Sequence, residues 1–589
     1  MTQSSDYQLR DGSRVAVIGG GPAGAFFATF LLDMAGRASR QISVDIYEPR
    51  DFNLAGPKGC NGCAGIVSET LVQMLAAEGV NLPSTVVQRG IDSYVMHMDV
   101  GSAVIDTPLQ EKRIGAVYRG AGPRDLRAVN WTGLDAHLLS LATDKGANVI
   151  HQRVTDVTWV DGRPQIDMRG VESEQPYDLL AVTAGVNTPL LKLFSEGDLG
   201  YQPPETTKTF LREYYLGAPT VEAVLGNAIQ VFLLDIPRLE FGMLIPKGEY
   251  MTVCLLGEDI DNDLVQAFLR APEVQRCLPE GMVLDNPSCQ CAPRINTVGA
   301  VQPYGDRLVF IGDAASTRLF KDGVGSAYRT AKVAASTAIF HGVSRDDFQR
   351  HYLPACQAIE NDNQVGRLIF AVVSQVQKRR FARNAVLQMI LDEQGKPGPL
   401  RRMSAVQWDM YTGSGSYKDI LMRTLHPAFM FGLAKGAVGA LLPAGRRRNP
   451  GKDIVETPAG SGGDLGRLYQ PGDVLIRQGE ISDHMLVIQE GQVALMRQEK
   501  GEEVFLGVRG AGEMLGETAI FQREEQGATV QALSQVRVLS VDRENFLKRI
   551  HDDPSLAFHL FQLMSRRVHE MDQQVAVLNQ EIDRLTSDR

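Results

Sequence analysis

The sequence predicts an α/β domain built on a mostly parallel sheet, followed by a small β-barrel or jelly roll and a terminal coiled-coil helix. Before residue 446, short apolar strands alternate with helical patterns, which is typical of α/β architecture. After residue 464, short alternating runs such as Met485-Leu486-Val487-Ile488 are punctuated by glycine, which indicates a small β domain. The last segment carries apolar residues at spacings of three and four, the pattern of a coiled-coil seam.

Length, charge and cysteine content exclude several classes of function for this protein. At 589 residues the chain exceeds one ordinary hydrophobic core, because domains usually contain roughly 100–200 residues. A formal net charge of -10 opposes nucleic-acid binding, since such proteins normally carry a basic surface. Seven cysteines and a polar N-terminus predict a cytoplasmic protein without a disulfide scaffold or signal peptide. No uncharged apolar run reaches about 18 residues, so we expect no spanning helix.

A linker separates the two predicted bodies. The stretch between Arg446 and Asp464 is rich in glycine, serine and proline and cannot bury apolar surface. We therefore predict one domain over residues 1–448, a linker over 449–463, a second domain over 464–560 and a helix over 561–589.

A glycine-rich turn predicts a dinucleotide site near the N-terminus. The apolar strand Arg14 to Ile18 leads directly into Gly19-Gly20-Gly21-Pro22-Ala23-Gly24 and then into a helical run. In this motif, Gly19 permits the tight turn, Gly21 lets a pyrophosphate approach the backbone, and Gly24 lets the helix pack on the strand. Glu48 ends the next strand, where an acidic residue accepts hydrogen bonds from a ribose hydroxyl.

Two later segments point to FAD rather than NAD. The segments from Tyr177 to Gly185 and from Arg307 to Ala315 look like later strands of the glutathione-reductase-like FAD fold. That resemblance assigns Gly312 and Asp313 to the flavin site, with Asp313 bonding the ribityl chain. The alternative interpretation is that Asp313 caps a helix N-terminus without a ligand.

From Val15 to about Leu442, the chain resembles the geranylgeranyl reductase branch of FAD-dependent oxidoreductases, which is related to aromatic hydroxylases and flavin-dependent halogenases. The loop Gly56 to Gly65 is similar to that branch's cysteine-bearing loop, and the segment Phe241 to Lys247 to its aromatic strand. The Gly312-Asp313 motif and its glycine-bearing sequel complete the resemblance. Phe241 and Met243 replace the strand's usual aromatic pair. The resemblance therefore supports the FAD fold more strongly than it supports a particular substrate.

The resemblance implies that Cys63 contacts the substrate and donates a proton after hydride transfer, with Phe241 and Met243 nearby. Cys60 and Cys63 also form a Cys-x-x-Cys pair, which leaves a purely structural role or a redox dithiol as alternatives. Cys289 and Cys291 lie too close together for a zinc knuckle, so we assign no metal site.

From Tyr469 to about Ile550, the chain looks like a cyclic-nucleotide-binding domain of the bacterial catabolite-activator type. The segment from Gly512 to Ile520 is similar to the phosphate cassette, and this assigns ligand binding to Gly516, Glu517, Gln526, Ala528 and Thr529. Gln526 stands where the family has the arginine that pairs with the cyclic phosphate. An amide carries no charge, so binding in the ordinary mode is left open. No helix-turn-helix follows, which opposes a transcription activator.

Two apolar stretches suggest partners. The spacing of the last segment favours a homodimer, with packing on its own barrel as the alternative; its apolar residues are Phe561, Met564, Val568, Met571, Val575, Leu578, Ile582 and Leu585. Between Ile420 and Leu442, an apolar run with cationic flanks is compatible either with peripheral membrane contact or with capping the core.

These features favour an FAD-dependent oxidoreductase that reduces C=C bonds in a lipophilic, isoprenoid-like substrate, with NAD(P)H or another donor. The C-terminal domain is expected to regulate it. The alternatives are a flavin-dependent monooxygenase or halogenase on the same scaffold, and a non-catalytic nucleotide sensor.

Overall fold

The computed structural model forms two compact units, which are Met1–Glu69, Ser84–Gln110 and Ile114–Asp464, and Thr70–Pro83, Glu111–Arg113 and Leu465–Arg589. The residues that the structure describes are 5–60, 62–106, 111–124, 131–169, 171, 173, 175–195, 199–441, 464–482, 484–499, 501–516, 524–543, 546–547, 550 and 556–587. The predicted linker, 449–463, lies outside the described residues.

The strands of the first unit are, in chain order, β1 (Arg14–Ile18), β2 (Ser43–Tyr47), β3 (Ile66–Val67), β4 (Val87–Ile91), β5 (Ser93–Met98), β6 (Gly101–Asp106), β7 (Ile114–Val117), β8 (Asn148–Ile150), β9 (Asp156–Val160), β10 (Arg163–Asp167), β11 (Leu179–Val182), β12 (Glu205–Lys208), β13 (Phe210–Tyr215), β14 (Ala228–Phe232), β15 (Leu239–Lys247), β16 (Tyr250–Gly257), β17 (Cys289–Cys291), β18 (Arg294–Val298), β19 (Tyr304–Gly305) and β20 (Leu308–Phe310). The helices of the described chain are α1 (Pro22–Arg37), α2 (Glu69–Ala77), α3 (Leu134–Asp144), α4 (Leu191–Ser195), α5 (Ala218–Val224), α6 (Asn262–Arg270), α7 (Pro272–Gln275), α8 (Gly323–Ser336), α9 (Arg345–His351), α10 (Leu353–Lys378), α11 (Arg380–Glu393), α12 (Arg402–Thr412), α13 (Tyr417–Thr424), α14 (Pro427–Leu441) and α15 (Leu556–Ser587).

A six-stranded sheet in the order β19-β20-β11-β1-β2-β8 forms the centre of the first unit. All its pairings are parallel except the edge pair β19-β20. β1 is apolar and buried almost throughout, because helices cover both faces of such a sheet. α1 packs against α8, where the Phe26 ring meets the Tyr328 ring edge-on at 5.4 Å between centroids. The predicted α/β domain with a mostly parallel sheet is therefore present.

A second, seven-stranded sheet in the order β17-β13-β16-β15-β14-β5-β6 lies in the same unit. Successive side chains of a strand point to opposite faces, and β15 shows this clearly. Phe241 and Met243 belong to a core cluster shared with helices α10 to α12, whereas Leu244 belongs to a cluster that contains Phe268 of α6. This alternation directs Phe241 and Met243 to the same face.

The second unit contains two four-stranded antiparallel sheets. Its strands are β21 (Arg467–Tyr469), β22 (Val474–Ile476), β23 (His484–Glu490), β24 (Val493–Glu499), β25 (Glu502–Arg509), β26 (Met514–Leu515), β27 (Thr529–Ala532) and β28 (Val536–Asp542). They are ordered β21-β28-β23-β26 and β22-β27-β24-β25. Residues from both sheets, including Ile488, Val530 and Val538, form one apolar core. The β architecture expected after the linker is confirmed.

The terminal helix α15 begins at Leu556, five residues before the predicted start. Its described stripe residues are exposed, with 66% of Phe561 and 58% of Val568 accessible to solvent. The side chains of Ile582 and Leu585 lie outside the described residues. The homodimer is still a prediction, because the single chain shows no second copy.

Helix α14 contains part of the apolar stretch that suggested membrane contact. Phe429 is buried, whereas Met430 and Phe431 are exposed. Over the described part of the chain, no helix combines the length and the apolar character needed to cross a membrane.

Candidate functional site

A cavity of about 630 Å³ lies in the first unit. It is lined by the turn after β1, the end of β2, the residues after β11, the loop before α8, and side chains of β15 and β16. In open parallel sheets, ligands bind beyond the carboxyl ends of the strands. The predicted site residues that line it are Gly19, Gly21, Ala23, Glu48, Cys63, Met243 and Asp313.

The glycine turn is fixed by close backbone packing. Gly19 has a φ of +110°, which side-chain-bearing residues rarely adopt, and it follows β1 directly. A Cβ placed on Gly24 would lie 1.9 Å from the Gly19 carbonyl oxygen. Position 24 therefore accepts no side chain unless the turn moves, as the sequence motif predicts. Gly20 and Gly24 shape the turn without lining the cavity.

Glu48 lies at the end of β2 and is buried. Its Oε2 accepts the Gly20 N–H at 2.8 Å, and its Oε1 accepts the Arg50 N–H at 2.9 Å. Burial raises the pKa of Glu48, although both backbone hydrogen bonds act in the opposite direction. The carboxylate is thus held against the glycine turn and still borders the cavity.

The Gly312-Asp313 motif lies against the same turn. Gly312 has a φ of +65°, and a Cβ placed on it would lie 2.9 Å from the Ala23 Cβ. Asp313 lines the cavity, and its Oδ1 accepts the Thr317 hydroxyl at 2.7 Å. Helix α8 takes Asp322 as its N-cap residue, so Asp313 does not cap that helix. Asp313 is therefore not the N-cap residue of α8, and its role at the flavin is still a prediction.

The cysteine loop, residues 60–65, brings a thiol to the cavity. Cys63 lines it, and its Sγ accepts the Gly65 N–H at 3.3 Å. Cys60 does not line the cavity, and burial raises the pKa of its thiol. A Cβ on Gly62 would lie 3.2 Å from Cys291 Sγ, so the two spaced cysteine pairs are neighbours. Within the described ranges, no group of three or more His, Cys, Asp or Glu residues is arranged to hold a metal ion.

The two β15 residues differ in their access to the cavity. Met243 lines it, whereas Phe241 is 1% exposed and does not. The Phe241 ring instead lies 4.2 Å from Lys321 Nζ, and Lys321 does line the cavity. Phe241 therefore does not contact a ligand in the cavity directly, but it contacts Lys321, which does line the cavity.

Several further residues complete the lining and were not identified from the sequence. Apolar and aromatic side chains converge there from five separate segments, namely Tyr94, Ile229, Cys254, Leu256, Phe320 and Tyr411. The alternation of β16 would have indicated that Cys254 and Leu256 share a face. No local pattern distinguishes Tyr94 or Tyr411 from ordinary core aromatic residues.

Arg119 supplies a fixed positive charge at the cavity. Its Nε and Nη2 donate to the two carboxylate oxygens of Asp135 at 2.5 and 2.7 Å, and Asp135 is fully buried. Such a two-point pair holds a guanidinium in one orientation. Neither residue of this pair was identified from the sequence.

In the second unit, Gln526 lies close to Gly516. Gln526 is 6% exposed, and a Cβ on Gly516 would lie 3.1 Å from its Nε2. Among the described residues, this buried Nε2 has no hydrogen-bond partner. Thr529 Oγ1 accepts the Gln478 N–H at 3.1 Å, and Ala528 is half-buried. Glu517 lies outside the described residues.

Residues 467–553 match the family model of the cyclic nucleotide-binding domain. The cyclic AMP receptor protein of Thermus thermophilus is 31% identical over 114 residues, which are 19% of this chain and 53% of that protein. A putative potassium channel protein of Rhodopseudomonas palustris is 34% identical over 103 residues, which are 17% of this chain and 24% of that protein. The chain thus spans about half the length, or less, of these curated relatives.

A solved structure matches most of the chain. A geranylgeranyl bacteriochlorophyll reductase-like protein from Thermoplasma acidophilum aligns with a TM-score of 0.51 and 14% identity, covering 70% of this chain and 99% of that one. At this identity the likeness shows a shared fold. The expected resemblance to that branch and to cyclic-nucleotide-binding domains is confirmed. A flavin-dependent brominase, Bmp2, aligns more weakly, with a TM-score of 0.43 and 14% identity over 69% of this chain and 98% of its own.

Proposed function

We propose that the first unit binds FAD and reduces C=C bonds of a lipophilic, isoprenoid-like substrate. The observation that carries this proposal is one cavity with two kinds of lining. The glycine turn, Glu48 and Asp313 border the same space as Cys63, Met243 and a set of aromatic and aliphatic side chains. A dinucleotide cofactor and an apolar substrate would therefore bind next to each other in this cavity.

The residues present fit FAD. Gly19 and Gly21 line the cavity where the motif would place a pyrophosphate, and the space that a Cβ would fill at Gly24 is occupied by the Gly19 carbonyl oxygen. Glu48 would accept a ribose hydroxyl, and Asp313 would bond the ribityl chain, as the family resemblance implies. When bound and reduced by the electron donor, FAD would supply the hydride for reduction of the double bond.

Cys63 is the residue that we assign to proton delivery. Its thiol borders the cavity, and the residue lies in the loop that leads into β3. Reduction of a C=C bond needs one proton on the carbon next to the one that receives hydride, and a positioned thiol can donate it. Arg119, held by Asp135, interacts electrostatically with Cys63 and would stabilise the thiolate left behind.

The apolar part of the lining supports a lipophilic substrate. Ile229, Met243 and Leu256 present aliphatic surface to the cavity, and burial of such surface is worth about 25 cal/mol per Å². The electron donor that we propose is NAD(P)H or another soluble reductant.

For the second unit, we propose regulation by a cyclic nucleotide. The family match and the inward-facing amide of Gln526 support a ligand at this place. The exposed stripe of α15 supports a homodimer, and the exposed Met430 and Phe431 of α14 support peripheral contact of a cytoplasmic protein with a membrane.

Identification of the cofactor is the first test. Purified protein is denatured, and the supernatant is analysed by mass spectrometry. FAD in near-stoichiometric amount supports the proposal. Colourless protein that does not take up added FAD would defeat it and would favour a non-catalytic nucleotide sensor.

A further inference from the structure

Lys321 occupies an unusual position in the cavity. It follows Phe320, which has a φ of 58°, in the loop between β20 and α8. Its Nζ lies 4.2 Å from the centroid of the Phe241 ring, and a Cβ on Gly413 would lie 3.6 Å from its Cβ. The side chain is half-buried and borders the cavity. The lysine is therefore held between a strand and the end of α12, with access to a ligand.

The ammonium group of Lys321 is not neutralised by the protein. Across the part of the chain that the structure describes, the Nζ of Lys321 forms no hydrogen bond or ion pair with the protein, and it contacts the face of the Phe241 ring. Lys247, on the same strand as Phe241, has the partner that a buried lysine usually has, because its Nζ pairs with Glu213 Oε1 at 3.1 Å. Burying a charge without a partner is costly. A cation–π contact offsets only part of that cost.

The surroundings of Lys321 explain how its charge responds to pH. The titratable or charged groups that line the cavity around it include Asp313, Arg318 and Asp322 on its own loop, Cys254 on β16, Cys63 on the cysteine loop and Tyr411 on α12. Asp322 is already bonded to Arg329 and Ser68. Burial and the Arg318 guanidinium lower the pKa of Lys321 to about 7, although Cys254 acts in the opposite direction.

We infer that the substrate carries a carboxylate, which Lys321 binds as its counter-ion. This inference rests on the proposed function, because it gives the lipophilic substrate one anionic end. A carboxylate matches the single ammonium charge, and its oxygens accept the N–H donors that the protein leaves unsatisfied. Lys321 is thus a specificity-determining residue, and the Phe241 ring positions it.

Calorimetry on the FAD-loaded full chain tests the inference with farnesoic acid and its methyl ester as probes. At about pH 6, where the lysine is charged, wild-type protein is expected to prefer the acid by tenfold or more. Above about pH 7 the preference is expected to fall roughly tenfold per pH unit, because the carboxylate stays ionised while the ammonium loses its proton. The ester is expected to show no such dependence.

Three variants make the test specific. Lys321→Met is expected to lose the preference for the acid and to keep the affinity for the ester. Lys321→Arg is expected to keep the preference and to lose its pH dependence, because a guanidinium stays charged. Lys192→Met, at an exposed position of α4, is the matched control and is expected to behave as wild type.

Equal binding of the acid and the ester by wild-type protein would overturn the role of Lys321 and leave the lipophilic substrate intact. A Lys321→Met variant that retains FAD but weakens both probes equally would also overturn it. Absence of heat with both probes would overturn the inference together with the proposed substrate class.

Discussion

The carboxylate of Glu48 accepts the backbone N–H of Gly20 across 2.8 Å, which joins the end of β2 to the glycine turn that follows β1. This bond orients an acidic side chain beside the turn before any ligand arrives. A Cβ on Gly20 would lie 2.8 Å from the Glu48 Cβ, so the two residues are packed as well as bonded. The end of β2 and the turn therefore form one preorganised cradle, which we propose holds the cofactor.

A methyl group at Gly24 should disable that cradle. Gly24→Ala places a Cβ 1.9 Å from the Gly19 carbonyl oxygen, which forces the turn to move. We expect flavin content per mole of protein, measured by absorbance after purification, to fall by at least tenfold. Gly36→Ala in the same helix is the matched control, because its Cβ would meet no described atom within 4 Å other than those of its chain neighbours and its own helix backbone. It is expected to keep full flavin content, and equal flavin content in the two variants would disprove the assigned role of Gly24.

Removal of the Cys63 thiol should slow turnover without releasing the cofactor. Cys63→Ser replaces a thiol with a far weaker acid, so we expect turnover of an isoprenoid substrate to fall about 100-fold or more, with flavin content unchanged. Cys60→Ser is the control, since Cys60 does not line the cavity. An equal loss of turnover in both variants would instead favour a redox role for the Cys60–Cys63 dithiol.

An arginine at position 526 should restore a charged contact in the second unit. The Gln526 amide is buried close to Gly516, so a guanidinium there would meet a bound cyclic phosphate. We expect Gln526→Arg to strengthen binding of cyclic AMP or cyclic GMP by roughly tenfold or more, as measured by calorimetry. Unchanged affinity for both nucleotides would mean that position 526 does not face the ligand.

A charge within the exposed stripe of α15 should disrupt a dimer. Val568 lies on the stripe and Val577 lies off it, and they are 58% and 60% exposed. Val568→Glu is expected to give a monomer in light scattering after size-exclusion chromatography, because a carboxylate in a coiled-coil seam is poorly tolerated. Val577→Glu is expected to leave the dimer intact. A wild-type chain that is already monomeric would contradict the coiled-coil prediction.

The sequence predicts those parts of the site whose geometry is set locally. Gly19 and Gly24 are required by a short backbone turn, and Glu48 follows from its place at the end of the next strand. The two β sheets of the second unit follow in the same way from short alternating strands.

Residues brought together by tertiary packing could not be found from the sequence. Tyr94, Lys321 and Tyr411 come from distant segments and meet only in the folded first unit. Phe241 was expected beside the substrate from its resemblance to an aromatic strand, yet its ring is covered and contacts Lys321. The alternation of β15 predicts which face of the sheet Phe241 points to. Only the packed structure shows that its ring contacts Lys321, which lines the cavity.

We propose that the first unit transfers hydride to a C=C bond, and anaerobic single-turnover mixing distinguishes this reaction from oxygen-dependent chemistry. Chemically reduced, FAD-loaded protein is mixed with farnesoic acid in the absence of oxygen, and flavin absorbance and product mass are followed together. We expect the flavin to be reoxidised as the product gains two hydrogens. Flavin that stays reduced until oxygen is admitted, followed by incorporation of isotopically labelled oxygen or of halide into the product, would contradict it and establish a monooxygenase or halogenase.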